Sequence, residues 1–245
     1  MGMTDFSWLS RTELIVGREG LQRLSEVHVL VVGLGGVGSF AAEFLARNGV
    51  GTMTIVDGDI VDPSNRNRQL PALATTHGLK KVELMAERIK AINPEITLHT
   101  FDAFIVPEKV NEILFSNKFD FIVDAIDSVT PKITFLELAM QSQIPIVSSM
   151  GAGGRIDPTQ VAIADISKTY NCPFAQQVRK MLKKKGIYKG FQTVFSKERP
   201  MQESLVMTDG SNYKKSAYGT MSYMPAIFGA VCASVAIRRI LDLPV

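Results

Sequence analysis

Cysteine is nearly missing from this 245-residue chain. Its two cysteines, Cys172 and Cys232, cannot build a four-thiolate zinc site, and no Cys-x-x-Cys pair occurs. A secretory signal is also lacking at the N-terminus, which predicts free thiols in a reducing, cytoplasmic setting. There is no excess of one charge: 27 basic against 24 acidic residues leave a net charge of +3, which neither demands nor excludes a nucleic-acid partner. No apolar run reaches the ~20 residues that a membrane span needs. The longest, Met221–Ile237, carries Pro225 with several Ser and Gly and precedes Arg238-Arg239, so it is predicted to be a buried helix, with a dimer interface as one place for it. Internal repeats and low-complexity tracts are absent too.

What remains is ordinary globular composition, 46% apolar and 21% charged, over a length that one α/β domain accounts for. The chain is organised around residues 27–57. An apolar run (Val29–Val32) enters the glycine loop Gly33-Leu34-Gly35-Gly36-Val37-Gly38. A helical pattern (Phe40, Ala41, Phe44, Leu45) leaves it, and a second apolar run ends in Val56-Asp57-Gly58-Asp59. Glycines there let backbone approach a phosphate, and a helix start presents free N–H groups to an anion. Asp57 stands where a ribose hydroxyl needs an acceptor. Taken alone, this fingerprint suits a nicotinamide or flavin enzyme equally well.

The next segments favour a polyphosphate. Ile60–Gln69 is too rich in Pro, Ser and Asn for a regular element, and it leaves the sheet edge where ligands sit in open α/β folds. Its Asn65, Arg66, Arg68 and Gln69 suit phosphate oxygens, since arginine offers a planar fork. His77–Lys81 opens a helix running to about Ile92, with Val82, Met85, Ile89 and Ile92 as its buried stripe. A lysine in the first turn opposes the helix dipole, which hints that Lys80 or Lys81 serves an anion. A third strand (Ile96–Phe101), a short helix (Pro107–Leu114) and a fourth strand (Phe119–Asp124) follow. That strand runs into Asp124-Ala125-Ile126-Asp127-Ser128. Of the two acids, one is expected to cap the helix through Lys132, Phe135 and Leu138, and Asp127 to direct Mg²⁺.

A fifth strand, Ile144–Ser149, precedes Gly151-Ala152-Gly153-Gly154, a turn at Asp157-Pro158-Thr159, and a further strand at Val161–Ile166. The alternation of strand and helix predicts a doubly wound, mostly parallel sheet with added antiparallel strands. Trp8–Leu24 reads as an amphipathic helix around Leu14, Ile15, Leu21 and Leu24, with Arg11 and Arg18 on its polar side. Charge is concentrated in one place, at Arg179, Lys180, Lys183, Lys184, Lys185 and Lys189, where it reads either as a solvated helix face or as a patch for nucleic-acid phosphates.

In order and spacing, Gly33–Ser39, Asp57-Gly58-Asp59, Asn65–Gln69, Lys81 and Asp124–Asp127 resemble the ubiquitin-activating-like ThiF/MoeB/HesA adenylating superfamily. The resemblance runs from about Trp8 to Leu241. Within the superfamily the chain is similar to the branch that dehydrates threonylcarbamoyladenosine in tRNA, a likeness that adds Arg11-Thr12, Asn93-Pro94, Gly151–Gly154 with Asp157–Gln160, and Val194–Ser196. The resemblance implies a Rossmann-like fold as one adenylating domain over 8–241. It implies ATP and Mg²⁺ as cofactors, tRNA carrying threonylcarbamoyladenosine as substrate, and a homodimer, and it admits a sulfur-transfer protein as a further partner. The glycines Gly33, Gly35, Gly36 and Gly38 would cradle ATP, and Asp57 would bind ribose. Asn65, Arg68 and Lys81 would hold the triphosphate, with Asp59 and Gln69 completing the set. Asp127 would direct the metal, and Arg11 would reach a nucleotide, in some relatives across a dimer. Arg68, Lys81, Asp127 and Arg11 are thus the expected catalytic groups.

Paired Cys-x-x-Cys zinc ligands, which sulfur-carrier-activating members possess, are lacking. Cys172, followed by Pro173, has no neighbouring histidine or evident helix start to activate it, so a structural role is expected. Three other readings stay open: adenylation of the C-terminus of a ubiquitin-like sulfur carrier, a NAD(P)-dependent oxidoreductase, and a non-catalytic tRNA-binding module.

Overall fold

The computed structural model describes residues 5–208 and 216–245. A 3₁₀ turn at Ser7–Leu9 leads into α1 (Ser10–Glu26), β1 (His28–Val32), α2 (Gly38–Arg47) and β2 (Thr52–Val56). α3 (Lys81–Ile92), β3 (Thr97–Phe101), α4 (Pro107–Leu114), β4 (Phe121–Asp124), α5 (Val129–Gln141) and β5 (Ile146–Ser149) follow. The chain then forms β6 (Val161–Asp165), α6 (Pro173–Lys183), β7 (Gln192–Ser196), β8 (Leu205–Met207), β9 (Ser216–Tyr218) and α7 (Tyr223–Ile240).

Among the described residues, seven strands form one sheet in the order β3-β2-β1-β4-β5-β7-β6, and β8 and β9 pair separately as an antiparallel hairpin. All neighbours in the large sheet are parallel except β6 on β7, so the predicted α/β, doubly wound sheet with antiparallel additions is what forms. β1 pairs with β2 on one side (Val32↔Val56) and with β4 on the other (Val32↔Asp124). The winding reverses there, and a crevice opens beyond the carboxyl ends of those strands.

The central strands are continuous apolar runs because helices cover both faces. On one face, Leu45 of α2, Met85 of α3 and Phe228 and Val235 of α7 pack on Val29 and Val31. On the other, Val110 of α4, Phe135 of α5 and Val178 of α6 pack on Leu30 and Val32. By length and composition α7 could cross a membrane, but half of it is buried, and Met224, Phe228 and Cys232 are spent on the core. The buried helix predicted at Met221–Ile237 is therefore present.

Two expectations need correction. Leu14 and Ile15 are 81% and 85% exposed, while Leu21 and Leu24 are fully buried. Gly17, at φ 72° and ψ 171°, interrupts α1 and resets the helical phase, so the four residues do not form one stripe. A seventh strand, Gln192–Ser196, escapes the sequence pattern and inserts between β5, to which it is parallel, and β6, to which it is antiparallel.

Phe135 is fully buried within its cluster. Phe135→Ala should lower unfolding free energy by about 3–5 kcal/mol, the usual range for deleting a buried aromatic ring, as read from a denaturant titration.

Candidate functional site

The glycine loop closes the crevice between β1 and α2. Gly33 turns the chain with φ +86° and donates its N–H to Val56 O at 2.8 Å, joining the ends of β1 and β2. A Cβ on Gly38 would lie 1.7 Å from Gly33 O, so only glycine allows this tight an entry to the helix. The first turn of α2 is thereby pressed against the strand end, and Gly33, Gly35, Gly36 and Val37 line the crevice where a helix start receives an anion.

Asp57, at the tip of β2, accepts from Leu34 N–H at 2.5 Å and from Asp59 N–H at 2.8 Å. Burial pushes its carboxyl above the usual carboxylate range, against the opposing pull of the Lys81 ammonium and these two N–H groups. Lys81, the first residue of α3, is nearly buried, and its Nζ sits 3.0 Å from Asp59 Oδ2. Of the two lysines predicted to meet an anion, Lys81 therefore faces the crevice. Lys80 instead pairs with Asp102 at 2.8 Å and Glu83 at 3.4 Å.

Arg68 is partly exposed on the crevice wall and donates to Ser64 O at 3.0 Å and Asn67 Oδ1 at 2.9 Å. Asn65 has a local duty as well, since its Oδ1 accepts from Asp62 N–H in a reciprocal cap. Gln69 lines the same wall, and its buried Oε1 has no hydrogen-bond partner among the described residues. A buried acceptor left in this way is what a site awaiting a hydroxyl or amine donor presents.

The expectation that one of Asp124 and Asp127 caps the next helix is overturned. The cap residue of α5 is Ser128, and its side chain makes no capping bond. Asp124 is instead fully buried against Lys132 Nζ at 2.7 Å and Ser148 Oγ at 2.7 Å. A charge with no access to water needs a counter-charge, and this one finds it in the first turn of α5. Asp127 is exposed on the cavity wall, 3.5 Å from Ser128 Oγ.

These residues share one cavity of about 830 Å³, which extends beyond the glycine loop to a second end formed by Gly151–Gly153, Cys172, Phe174, Gln177 and Tyr218. This end was not legible as a site. Arg155 organises it: buried, it donates to Gly151 O at 2.6 Å, Gly153 O at 2.9 Å and Glu198 O at 3.1 Å. The signal was its position directly after Gly151–Gly154. Cys172 does stand at a helix start, contrary to expectation, as the cap residue of α6. Its Sγ accepts from Ala175 N–H at 3.5 Å, which gives it a structural role. Burial pushes the Cys232 thiol up to about 12, so it is inert.

Two predicted groups lie elsewhere. Arg11 is exposed on α1 and is not on the cavity wall of its own chain. The basic cluster is thinner than its sequence suggests: Arg179 is bonded to Thr169 Oγ1, and Lys185 pairs with Glu137 at 2.6 Å. Lys180, Lys183, Lys184 and Lys189 remain exposed.

The site fits a nucleoside triphosphate with Mg²⁺. No three His, Cys, Asp or Glu side chains converge on a metal among the described residues. Mg²⁺ is usually held by one or two carboxylates together with substrate phosphates, however, and the exposed Asp127 carboxylate on the cavity wall is one that would suit it.

The sequence profile of the ThiF family matches residues 9–244. A Bacillus subtilis (strain 168) protein named tRNA threonylcarbamoyladenosine dehydratase is 43% identical over 229 residues, covering 91% of this chain and 90% of that one. An Escherichia coli (strain K12) protein of the same name is 38% identical over 255 residues, covering 96% and 95%. The crystal structure of E. coli tRNA N6-threonylcarbamoyladenosine dehydratase in complex with ATP superposes with a TM-score of 0.88 at 37% identity, covering 99% of this chain and 98% of that one. Its complex with AMP matches equally well, with a TM-score of 0.88.

Arg155 supplies the partners of several carbonyls at once. Arg155→Ala should therefore lower stability by about 2–4 kcal/mol, through buried acceptors left unpaired. Arg155→Lys should recover only part of it, because an ammonium cannot span the same fork. Urea titrations of both variants measure the difference.

Proposed function

We infer that this chain, which belongs to the ThiF family, is an ATP-dependent enzyme that cyclises threonylcarbamoyladenosine in tRNA. The observation that carries this reading is the single cavity that joins a glycine-loop nucleotide cradle, with Asp57, Lys81 and Asp127, to the end built on Gly151–Gly153 and Tyr218. Relatives that match it along nearly their whole length are named for that dehydration. The threonyl carboxylate attacks the α-phosphate of ATP, giving an acyl-adenylate and pyrophosphate. The neighbouring carbamoyl oxygen then attacks the acyl carbon, closes the ring and expels AMP. The sum is loss of one water from the nucleoside. Ring closure within the substrate needs no protein nucleophile, since intramolecular attack has a high effective concentration. A buried structural Cys172 is consistent with that.

In this reading residues 8–241 act as one adenylating domain. Gly33, Gly35, Gly36 and Gly38 bring backbone N–H groups to the phosphates, and Asp57 accepts from the ribose. Gln69 Oε1 supplies an acceptor. Lys81, held by Asp59, and Arg68, steadied by Asn67, place positive charge along the phosphates; Asn65 shapes their loop. Asp127 would hold Mg²⁺, which neutralises charge developing at phosphorus when it is bound. Arg11 lies outside its own chain's cavity, one turn before the exposed Leu14 and Ile15. A second copy covering that apolar pair in a homodimer would receive Arg11 at its nucleotide. The reaction transfers no sulfur, so a sulfur-transfer protein is not needed for it. The compartment is the cytoplasm, where tRNA is at hand.

Incubation with ATP, Mg²⁺ and tRNA bearing threonylcarbamoyladenosine, followed by nucleoside mass spectrometry, should reveal loss of one water. ATP–pyrophosphate exchange that depends on a Gly-Gly-ended carrier protein, and not on this tRNA, would overturn the reading. Asp127→Ala should abolish the exchange and leave the melting temperature unchanged; turnover within a few-fold of wild type would remove Asp127 from the reaction.

The polyanion would dock along α6. Gln177 lines the cavity, and Lys180 and Lys184 continue the same helix face outward. The Lys180→Ala, Lys183→Ala, Lys184→Ala triple variant should weaken tRNA binding. It should also flatten the log–log salt dependence by about 0.7–0.9 per lost phosphate contact, with ATP affinity retained. An unchanged slope would move docking to another surface.

A further inference from the structure

Neither member of the buried ion pair between Asp124 and Lys132 lines the cavity, yet the pair grips the residue directly before Asp127. Asp124 Oδ1 accepts from Ile126 N–H at 3.0 Å, and Lys132 Nζ donates to Ile126 O at 3.0 Å. Both backbone groups of Ile126 are thus held by the two members of one pair, which are themselves 2.7 Å apart with both side chains fully buried. Ser148 Oγ, from β5, donates at 2.7 Å to Asp124 Oδ2, the same oxygen that Lys132 Nζ meets, and so holds the acid from a second element. Ala125 N–H is tied to Val32 O of β1 at 2.9 Å. Every residue of the turn that leads to Asp127 is anchored, from β1, β5 and α5 together.

Stability does not explain this arrangement. Two charges removed from water gain little over well-packed apolar side chains of the same volume, and often lose by comparison. What an apolar pair could not do is satisfy Ile126 N–H and O at once, and so hold that peptide in a single orientation. We propose that Asp124 and Lys132 are positioning residues that set the aim of Asp127 toward the nucleotide's metal. The proposal rests on the reading of Asp127 as the Mg²⁺-directing acid. Lys132 Nζ also lies 5.7 Å from the ring centroid of Phe174, a residue of the cavity's second end, so the pair touches both ends of the site through intermediaries.

The test separates aim from stability. Lys132→Met leaves a buried Asp124 uncompensated and should lower the melting temperature. The double variant Asp124→Asn, Lys132→Met removes both charges and should recover most of that loss. Calorimetric ATP titrations with and without Mg²⁺ then report the metal's contribution to binding, independently of turnover. In the double variant, metal-free ATP affinity should stay within about threefold of wild type. Its gain in affinity on adding Mg²⁺ should fall about tenfold or more, and kcat should fall with it. Melting that recovers together with an unchanged Mg²⁺ gain would overturn the proposal and leave the pair a core contact. Asp127→Ala is the control. If that variant keeps the Mg²⁺ gain, the reading of Asp127 fails; if it loses the gain while the double variant keeps it, only the positioning role fails. Should the double variant not fold, Ser148→Ala keeps both charges and loosens only the acid. It should then show a two- to threefold smaller Mg²⁺ gain at nearly wild-type melting, and an unchanged gain would overturn the proposal.

Discussion

The carbonyl of Gly33 lies where any side chain on Gly38 would have to begin, 1.7 Å from the position of a Cβ. That crowding forces the chain to leave β1 and enter α2 in a single tight turn. Much else is a consequence of it. The start of α2 stands directly over the end of β1, at the point where the sheet winds outward in both directions. Asp57 can then reach across to Leu34 N–H from the end of β2, which stiffens the loop from the side. Pro225 of α7 supports it from beneath: a Cβ on Gly36 would meet the proline ring at 2.9 Å. An anion brought to this point meets oriented N–H groups that need little rearrangement to receive it.

The second end of the cavity is built on a different principle. Its glycine run, Gly151-Ala152-Gly153-Gly154, follows β5 but opens no helix, and the helix start that lines it, Cys172-Pro173, comes from another segment. A guanidinium buried among carbonyls holds Gly151–Gly153 in place; Tyr218 of β9 lies against Gly153, and the next residue, Gly219, accepts from Gly154 N–H at 2.7 Å. The phosphate loop itself is local in sequence, from Gly33 to Gly38, whereas this end brings together Gly151–Gly153, the start of α6 and Tyr218. One fold can therefore keep its nucleotide chemistry and vary what is adenylated.

That contrast explains what could be read from the residues alone. Gly33–Gly38, Asp57 and Lys81 were legible because backbone approach to a phosphate demands particular residue types at short spacings. The sheet's class was legible from the alternation of apolar runs with helical stripes. Lys132 was hidden because its spacing from Phe135 and Leu138 fits a helix stripe equally well, and nothing in that spacing says that Asp124 waits inside. β7 was hidden because Gln192, Thr193 and Ser196 dilute its apolar signal, and its partner β5 lies far back in the chain. Leu14 and Ile15 misled because periodicity assumes an unbroken helix, and Gly17 breaks this one. Arg179 and Lys185 counted as free charge until Thr169 and Glu137 were found beside them.

The packing of α7 beneath the glycine loop has a bearing on how the protein is made. α2 and the loop emerge from the ribosome well before Tyr223–Ile240, the helix that supports them. At about 5–20 residues per second, the interval between the two is on the order of ten seconds or more. Through that time the nascent chain carries its phosphate fingerprint without the floor that shapes it. Nucleotide competence therefore waits on α7, and marks a chain that has been translated through that helix.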